Sequence, residues 1–279
     1  DSFKNLFGFG SKLLFVSLID TIYKNIYYIV IGRFYTPVQL GQYTRAEQFN
    51  TIFSSNLTAI VQRVSYPVLS SIQEENVRLR NAYQRIIKTT MLVTFICMLG
   101  LAAIAKPLII LLIGEKWLPA VQFLQIICFS GMLYPLHALN LNILQVKGRS
   151  DLCLKLEIIK KLILILPIIA GICCDIEYML WSSVFISFVA YLFNSYYSSR
   201  LISYSTLSQI KDILPSFLIA FCVSGCIWSV TLLNLSNWLL LLIQMFVAVV
   251  LYFVILEKLC LEEYMELRQL TLSFLRRKK

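Results

Sequence analysis

The sequence is poor in charged residues, which make up only 14% of its 279 amino acids. A soluble domain usually contains about 25% Asp, Glu, Lys and Arg. Hydrophobic residues reach 58%, and the mean hydropathy is +0.75. This composition excludes an ordinary soluble domain and indicates a membrane protein, because each crossing of a bilayer takes roughly 20 mostly apolar residues.

Histidine is almost absent, and the cysteines are scattered. The only histidine is His137, and no zinc-type cluster of cysteines accompanies it. A metal site needs several such ligands at set spacings, so we predict no metal and no other cofactor. All eight cysteines except Cys260 fall within apolar segments, which argues against a disulfide framework. For His137, beside Pro135, packing with satisfied hydrogen bonds is the simpler interpretation, and a substrate contact is the alternative.

Eight segments are long enough to cross a membrane. The first two are the least apolar, and we include them because of their length, their flanks and the parity of the total. The segments lie at about 9–31, 48–70, 89–113, 118–146, 152–173, 178–200, 213–233 and 237–256. We therefore predict an all-α polytopic membrane protein with about eight transmembrane helices, in which the stretch 32–47 is the longest outer loop.

The distribution of Lys and Arg predicts the orientation in the membrane. With the N-terminus in the cytoplasm, most of the 25 basic residues fall on the inner side, and the turns around 175–177 and 234–237 have none. This asymmetry follows the positive-inside rule and places both termini in the cytoplasm. The net charge of +10 is spread over many short loops, which favours contact with anionic lipids over nucleic-acid binding. We interpret the basic cytoplasmic tail, 259–279, as a topology anchor, with lipid or partner binding as the alternative.

Five strings of the sequence occur in the order found in a known family of membrane proteins. They are YKNIYYIVIGRFYTPVQLGQYTRAEQF (23–49), VSYPVLSSIQEENVRL (64–79), AKPLIILLIGEKWLPAVQFLQI (105–126), GMLYPLHALNLNILQVKGRSDLCLKLEIIKK (131–161) and NSYYSSRLISYS (194–205). Together they resemble the bacterial polysaccharide transporter family within the multidrug/oligosaccharidyl-lipid/polysaccharide exporter superfamily. That family includes O-antigen, capsule and colanic-acid flippases. The resemblance covers about residues 1–205 and beyond them rests on apolar segments in the expected places.

The resemblance implies a fold of two six-helix bundles that face each other, often followed by two extra helices. In this chain, 1–205 would form the second, C-terminal bundle, 206–258 the extra two-helix hairpin and 259–279 the tail. The first bundle would be missing, and the chain begins with Asp1 rather than Met. We therefore expect the C-terminal portion of a longer protein, which transports nothing alone unless it dimerises.

The resemblance also implies a function. Such a flippase carries an undecaprenyl-diphosphate-linked oligosaccharide from the cytoplasmic to the periplasmic leaflet of the bacterial inner membrane by alternating access. The implied partners are this substrate, membrane lipids and other surface-glycan assembly proteins, with no nucleic acid.

The first segment contains two charged residues on one helix face. Asp20 and Lys24 are four residues apart, and Tyr27 lies on the next turn. Charged side chains are costly in a bilayer and normally face a cavity or a partner. Lys24 is therefore a candidate cation for a substrate diphosphate, and the alternative is a closed structural ion pair with Asp20. For Asp20, pairing with Lys24 is the favoured role, and proton coupling stays open.

The second segment contains a polar stripe. Arg45, Asn56 and Arg63 fall within about 20° of one another on a helix, with Gln48 at the edge of the stripe and Glu47 on the opposite side. The functional interpretation is a cavity wall, in which the arginines bind a diphosphate and the amides, with Tyr27, bind sugar hydroxyls. The alternative is that both arginines snorkel from the two ends of one helix. We expect Glu47 to pair with a neighbouring helix or to remain among the headgroups.

Two other functions are compatible with a polytopic membrane protein. A non-transporting scaffold of a glycan-assembly complex would use the polar stripe only for helix packing. A polymerase or ligase of surface glycans would need a large outer loop with acidic, basic or arginine side chains, and the predicted outer loops are short. We predict no catalytic residues and a transporter rather than an enzyme.

Overall fold

The structure, a computed structural model, describes residues 21–23, 25–233, 235–259 and 265. These residues form ten α-helices and two short 3-10 helices, and they include no β-strand. The helices are α1 (Ile26–Phe34), α2 (Pro37–Ser71), α3 (Asn76–Ile113), α4 (Ala120–Gly131), α5 (Tyr134–Val146), α6 (Ser150–Ile163), α7 (Ile165–Cys173), α8 (Ile176–Ile202), α9 (Thr206–Ser229) and α10 (Asn237–Leu259).

The prediction of an all-α polytopic membrane protein is confirmed. Within the described residues, five helical segments are long and apolar enough to cross a membrane. They are Asn76–Ile113, Ala120–Val146, Ile176–Ile202, Thr206–Leu233 and Asn237–Lys258. These five correspond to the third, fourth, sixth, seventh and eighth predicted segments. Most of the first predicted segment lies outside the described residues.

The second predicted segment forms a longer and more polar helix than expected. α2 begins at Pro37, so the prediction of an outer loop at 32–47 is wrong. The start is fixed by a capping box, in which the Gln39 amide N–H donates to Thr36 Oγ1 (3.2 Å) and the Thr36 N–H donates to Gln39 Oε1 (3.1 Å). Pro37 occupies the first helical turn, where its missing N–H leaves no hydrogen bond unmade. The sequence Thr-Pro-Val-Gln contained this signal.

The fifth predicted segment is divided into two short helices. α6 and α7 meet at Leu164, whose backbone remains in the right-handed helical region. Pro167 explains the break, because its ring crowds the carbonyl of Ile163 and it has no N–H to donate to that oxygen. The helices are 14 and 9 residues long, so each alone is shorter than a membrane crossing.

The core of the bundle lies where α2 crosses α4 and α5. α8 packs against α4, α5 and α7, and α3 lies between α4 and α9. α2 packs tightly on α4 at Gly131, where a Cβ atom would lie 2.3 Å from Asn50 Oδ1. A side chain at Gly131 would therefore displace the Asn50 amide.

The last two helices pack against α3. α9 begins at Thr206, where the hairpin was predicted to begin, and contacts α3 along its length. At one end of this contact, Asp212 Oδ2 accepts hydrogen bonds from Gln84 Nε2 (2.7 Å) and from the Tyr204 hydroxyl (2.5 Å). Lys88 Nζ lies 3.8 Å from Asp212 Oδ1. This polar cluster joins α9 to α3.

Two turns predicted on the cytoplasmic side meet at the same end of the bundle. The Lys147 ammonium donates to the Gln73 carbonyl oxygen and to Asn76 Oδ1, the latter at 2.8 Å. These contacts join the end of α5 to the turn between α2 and α3.

Candidate functional site

A cavity of about 330 Å³ lies inside the bundle, between α1, α2, α4, α5, α6 and α8. One acidic and one basic side chain, Glu47 and Lys160, line it together with His137. Tyrosine rings form much of the remaining wall, from Tyr23, Tyr27, Tyr28, Tyr43 and Tyr134. Polar groups at this depth of an apolar bundle mark a candidate functional site.

Glu47 reaches the cavity because of the way α2 packs. Ala46, Asn50 and Ser54 are buried and follow at intervals of four residues, so this side of α2 faces α4 and α5. Glu47 lies beside them and accepts hydrogen bonds from Asn50 Nδ2 (3.3 Å) and Thr51 Oγ1 (3.2 Å) of its own helix. In the part of the chain that the structure describes, no basic side chain forms an ion pair with it.

The tyrosines of α1 and α2 form one aromatic cluster. The Tyr28 ring meets Tyr43 edge to face at a centroid distance of 5.2 Å, and the Tyr27 ring lies 6.5 Å from Tyr43. Next to it, Lys161 Nζ lies 5.2 Å from the centre of the Tyr23 ring. Aromatic faces with hydroxyl and carboxylate groups suit a small polyhydroxylated or polar ligand.

His137 uses both ring nitrogens. Nε2 lies 3.2 Å from Ser187 Oγ, and Nδ1 lies 3.1 Å from Asn194 Nδ2, so α5 is tied to α8. Because an amide N–H can only donate, the Asn194 contact makes Nδ1 the acceptor and leaves the proton on Nε2 for Ser187. This agrees with the packing interpretation of His137, although the ring also borders the cavity.

The predicted polar stripe lies on the other side of α2. Arg45, Gln48, Asn56 and Arg63 are all exposed, and none lines the cavity. The Arg45 Nη1 donates to Gln48 Oε1 (2.9 Å), and Asn56 Nδ2 donates to the Ile52 carbonyl of its own helix (2.6 Å). The structure therefore brings Arg45 and Gln48 together, whereas Tyr27 lines the internal cavity. Lys24 and Asp20 lie outside the described residues.

The sequence did not predict two features, the position of Glu47 at the cavity and the contact between α2 and the turn after α3. Glu47 does lie opposite the stripe as predicted, but it borders the internal cavity rather than a headgroup zone. The seam of Ala46, Asn50 and Ser54 beside it was the available signal. The other is the turn after α3, which reaches α2: Gln42 Nε2 donates to the Lys116 carbonyl (3.1 Å), and the Arg45 guanidinium lies 5.2 Å from the centre of the Trp117 ring.

Comparison with known proteins agrees with the strings quoted above. A family model described as polysaccharide biosynthesis protein matches residues 1–122. The teichuronic acid biosynthesis protein TuaB of Bacillus subtilis is 30% identical over 230 residues, which is 82% of this chain and 48% of TuaB. These matches support the resemblance of the chain to the bacterial polysaccharide transporter family. Another similar protein is the lipopolysaccharide biosynthesis protein WzxC of Escherichia coli, 26% identical over 58% of this chain and 33% of WzxC.

A solved structure shares the fold of this chain. The lipid II flippase MurJ, in an inward closed conformation, matches 91% of the chain with a TM-score of 0.68 at 17% identity. The match covers 56% of the MurJ chain. The chain thus spans about half the length of TuaB and of this structure.

Proposed function

We propose that the chain forms part of a flippase for lipid-linked oligosaccharides in the bacterial inner membrane. It would carry an undecaprenyl-diphosphate-linked glycan from the cytoplasmic to the periplasmic leaflet by alternating access, as a transporter and not as an enzyme. The similarity to polysaccharide biosynthesis proteins and the likeness of the fold to MurJ support this proposal. We place the loops around Gln73 and Lys147, which contact each other, in the cytoplasm with both termini.

The observation that carries the proposal is the exposed face of α2. Arg45, Gln48, Asn56 and Arg63 are exposed there beside apolar side chains such as Ile52 (56%) and Ile60 (59%), whereas α10 exposes only large apolar side chains over its central turns, such as Phe246 (70%). Exposure of cationic and amide side chains to lipid costs free energy. α2 therefore faces water, a polar substrate or a second polar surface. Since the chain spans about half of its relatives' length, we infer that the rest of the transporter, or a second copy, stands opposite this face.

A passage between two such faces would suit the substrate. A diphosphate needs fixed cations in a water-poor space, and Arg45 and Arg63 supply them with Lys24 as a further candidate. Gln48 and Asn56 can bind sugar hydroxyls. The internal cavity near Tyr27 is at the lower end of the size of ligand sites, so it is too small for an oligosaccharide. For Asp20, we keep pairing with Lys24 as the favoured role and proton coupling as the second.

Charge reversal tests this assignment. The variants Lys24→Glu and Arg63→Glu, made in the gene as it stands in its own genome, should abolish export of the surface polysaccharide and leave the protein inserted in the membrane. The matched control is Arg80→Glu, which changes an exposed arginine near the start of α3. Undiminished export by both Lys24→Glu and Arg63→Glu would contradict the assignment.

A non-transporting scaffold is the second candidate function. The contacts that favour it are the Asn56 amide bonded to its own helix and Arg45 resting on Trp117, since both are compatible with simple packing or snorkelling. Deletion of the gene separates the two functions. Loss of a flippase leaves lipid-linked glycan in the cytoplasmic leaflet, whereas loss of a scaffold lowers the amount of glycan made.

A further inference from the structure

A second, mostly apolar cavity is lined by no residue of α1 or α2. It forms a slot of about 390 Å³ between α3, α4, α8 and α9. Small residues of α3 and α9 leave this space open: at Gly225, an added Cβ would meet no atom within 4 Å. The residues that shape the slot are Ala102, Ala103, Gly225, Phe129, Phe221 and Trp228. An open apolar slot at the surface of a membrane bundle fits a hydrocarbon chain.

The slot continues into a pocket of different character. A neighbouring cavity of about 400 Å³ shares Gln125 and Trp228 with the slot and is also lined by Lys106, Thr231 and Leu232. The two spaces therefore form one groove, apolar at one end and polar at the other. The shape matches a molecule with an apolar chain and a polar head.

Lys106 gives the polar end its charge. It is exposed within the apolar run LAAIAKPLII of α3, and no acidic residue lines the pocket. Among residues 21–23, 25–233 and 235–259, no carboxylate forms an ion pair with Lys106. A lysine near the end of a membrane helix extends its ammonium toward the headgroup region, where phosphate is the available anion.

Two other polar side chains of the pocket have protein partners. Gln125 Nε2 donates to the Ala102 carbonyl (3.1 Å), and Thr231 Oγ1 accepts from Gln244 Nε2 (2.9 Å). These bonds fix the two ends of the pocket wall and leave the Lys106 ammonium as the group that offers its charge to a ligand. Recognition at this end therefore depends on a negative charge.

We propose that this groove is a binding site for one anionic phospholipid. One acyl chain lies in the slot beside Gly225, and the phosphate lies at the Lys106 ammonium. Phosphatidylglycerol has the required chemistry, whereas phosphatidylcholine carries a compensating positive charge. The site is separate from the polar face of α2 and from the internal cavity, and it does not depend on the proposed transport activity.

Native mass spectrometry of the purified full chain in a mild detergent tests the site. Phosphatidylglycerol and phosphatidylcholine with the same acyl chains are titrated in parallel. We expect one phosphatidylglycerol to be retained over phosphatidylcholine by about fivefold, which corresponds to about 1 kcal/mol for one lysine at an anionic headgroup. Equal retention of the two lipids overturns the proposal.

Three variants locate the binding. Lys106→Gln should remove the preference for phosphatidylglycerol, and Lys106→Arg should keep it. Gly225→Leu fills the slot and should lower the retention of both lipids. The control is Lys211→Gln, an exposed lysine on α9 remote from the groove, which should leave the preference intact. Unchanged preference in Lys106→Gln, or stronger retention of a polyprenyl diphosphate than of phosphatidylglycerol, contradicts the assignment.

Discussion

Arg45 and Glu47 are two residues apart and lie on opposite faces of α2. The Arg45 guanidinium lies 5.2 Å from the centre of the Trp117 ring, on the exposed side of α2. Glu47 borders the tyrosine-lined cavity inside the bundle. One short stretch of helix therefore supplies a guanidinium to the outer surface of the chain and a carboxyl group to its interior. The two groups do not neutralise each other, so each face of α2 has its own electrostatic character.

The exposure of α2 to water can be measured by thiol labelling. In a variant whose eight native cysteines are replaced, Gln48→Cys and Asn56→Cys should react with a charged maleimide in intact membranes. Buried Ser54→Cys, on the inner face, should react more than about tenfold more slowly, because a thiol must reach water to form its thiolate.

Val249→Cys on α10 is the matched control for lipid exposure. Its side chain is 69% exposed, but its surroundings are apolar, so it should remain unlabelled. Equal labelling at positions 48, 56 and 249 would mean that the α2 face is no wetter than a lipid-facing helix, and the proposed passage would fail.

The long apolar segments were predictable because hydropathy and length are local properties. α3, α8, α9 and α10 follow directly from their runs of apolar residues. The 3.6-residue period likewise placed Arg45 and Glu47 on opposite sides of one helix. Which of these sides faces the interior was not predictable from α2 alone, because both carry polar residues.

The side of α2 that carries Glu47 is buried because of the side chains of α4 and α5 that pack against it. Gly131 has no side chain at the point where Asn50 approaches. The space that this leaves allows α2 to pack on α4 with its Asn50 side inward. Such a choice involves residues about 80 positions apart, and no local pattern reports it. The lysine at the groove, Lys106, was visible as a charge in an apolar run, but its neighbours Gln125 and Trp228 come from other helices.

Gly131→Ala should destabilise the protein. The new methyl group would lie 2.3 Å from Asn50 Oδ1 and 2.8 Å from Met98 Cε, so the buried ends of both side chains must move. Overpacking of this kind costs about 1–3 kcal/mol. Thermal unfolding of the purified chain in detergent, followed by circular dichroism, measures the effect.

Gly100→Ala serves as the control for the change in helix propensity. Its added Cβ meets nothing within 4 Å, so it should raise the stability by about 0.5–1 kcal/mol. Equal shifts of the unfolding temperature in the two variants would show that the contact at Gly131 is unimportant.

Asp212→Ala should loosen the contact between α9 and α3. The substitution leaves Gln84 and the buried Tyr204 hydroxyl without their acceptor and Lys88 without its nearby carboxylate. An unsatisfied buried donor costs about 1–3 kcal/mol. Asp212→Asn keeps one acceptor oxygen and should be affected less.

Asp151→Ala is the comparison for a carboxylate at the surface. Asp151 Oδ2 lies 2.8 Å from Arg149 Nη2, but both side chains are exposed. Removal of the Asp151 carboxylate should therefore leave the unfolding temperature nearly unchanged. If Asp212→Ala and Asp151→Ala change the unfolding temperature equally, the polar cluster around Asp212 does not stabilise the contact between α9 and α3.

Tyr204 gives the fold a dependence on alkaline pH. Burial of the ring, followed by the hydrogen bond to the Asp212 carboxylate, raises the pKa of the Tyr204 phenol above its ordinary value of 10.0. A phenol whose pKa is raised by folding holds its proton more tightly in the folded state. Its contribution to stability is therefore fully present below about pH 10 and declines as the pH rises toward the folded-state pKa.

Tyr204→Phe should remove part of this decline. The variant is less stable than the parent at neutral pH, because Asp212 loses a donor, but its unfolding temperature should fall less steeply at alkaline pH. Tyr178→Phe changes a tyrosine that is 63% exposed and should follow the parent curve. Parallel curves for the parent and Tyr204→Phe would show that ionisation of Tyr204 is not linked to unfolding, since the linkage requires different proton binding in the two states.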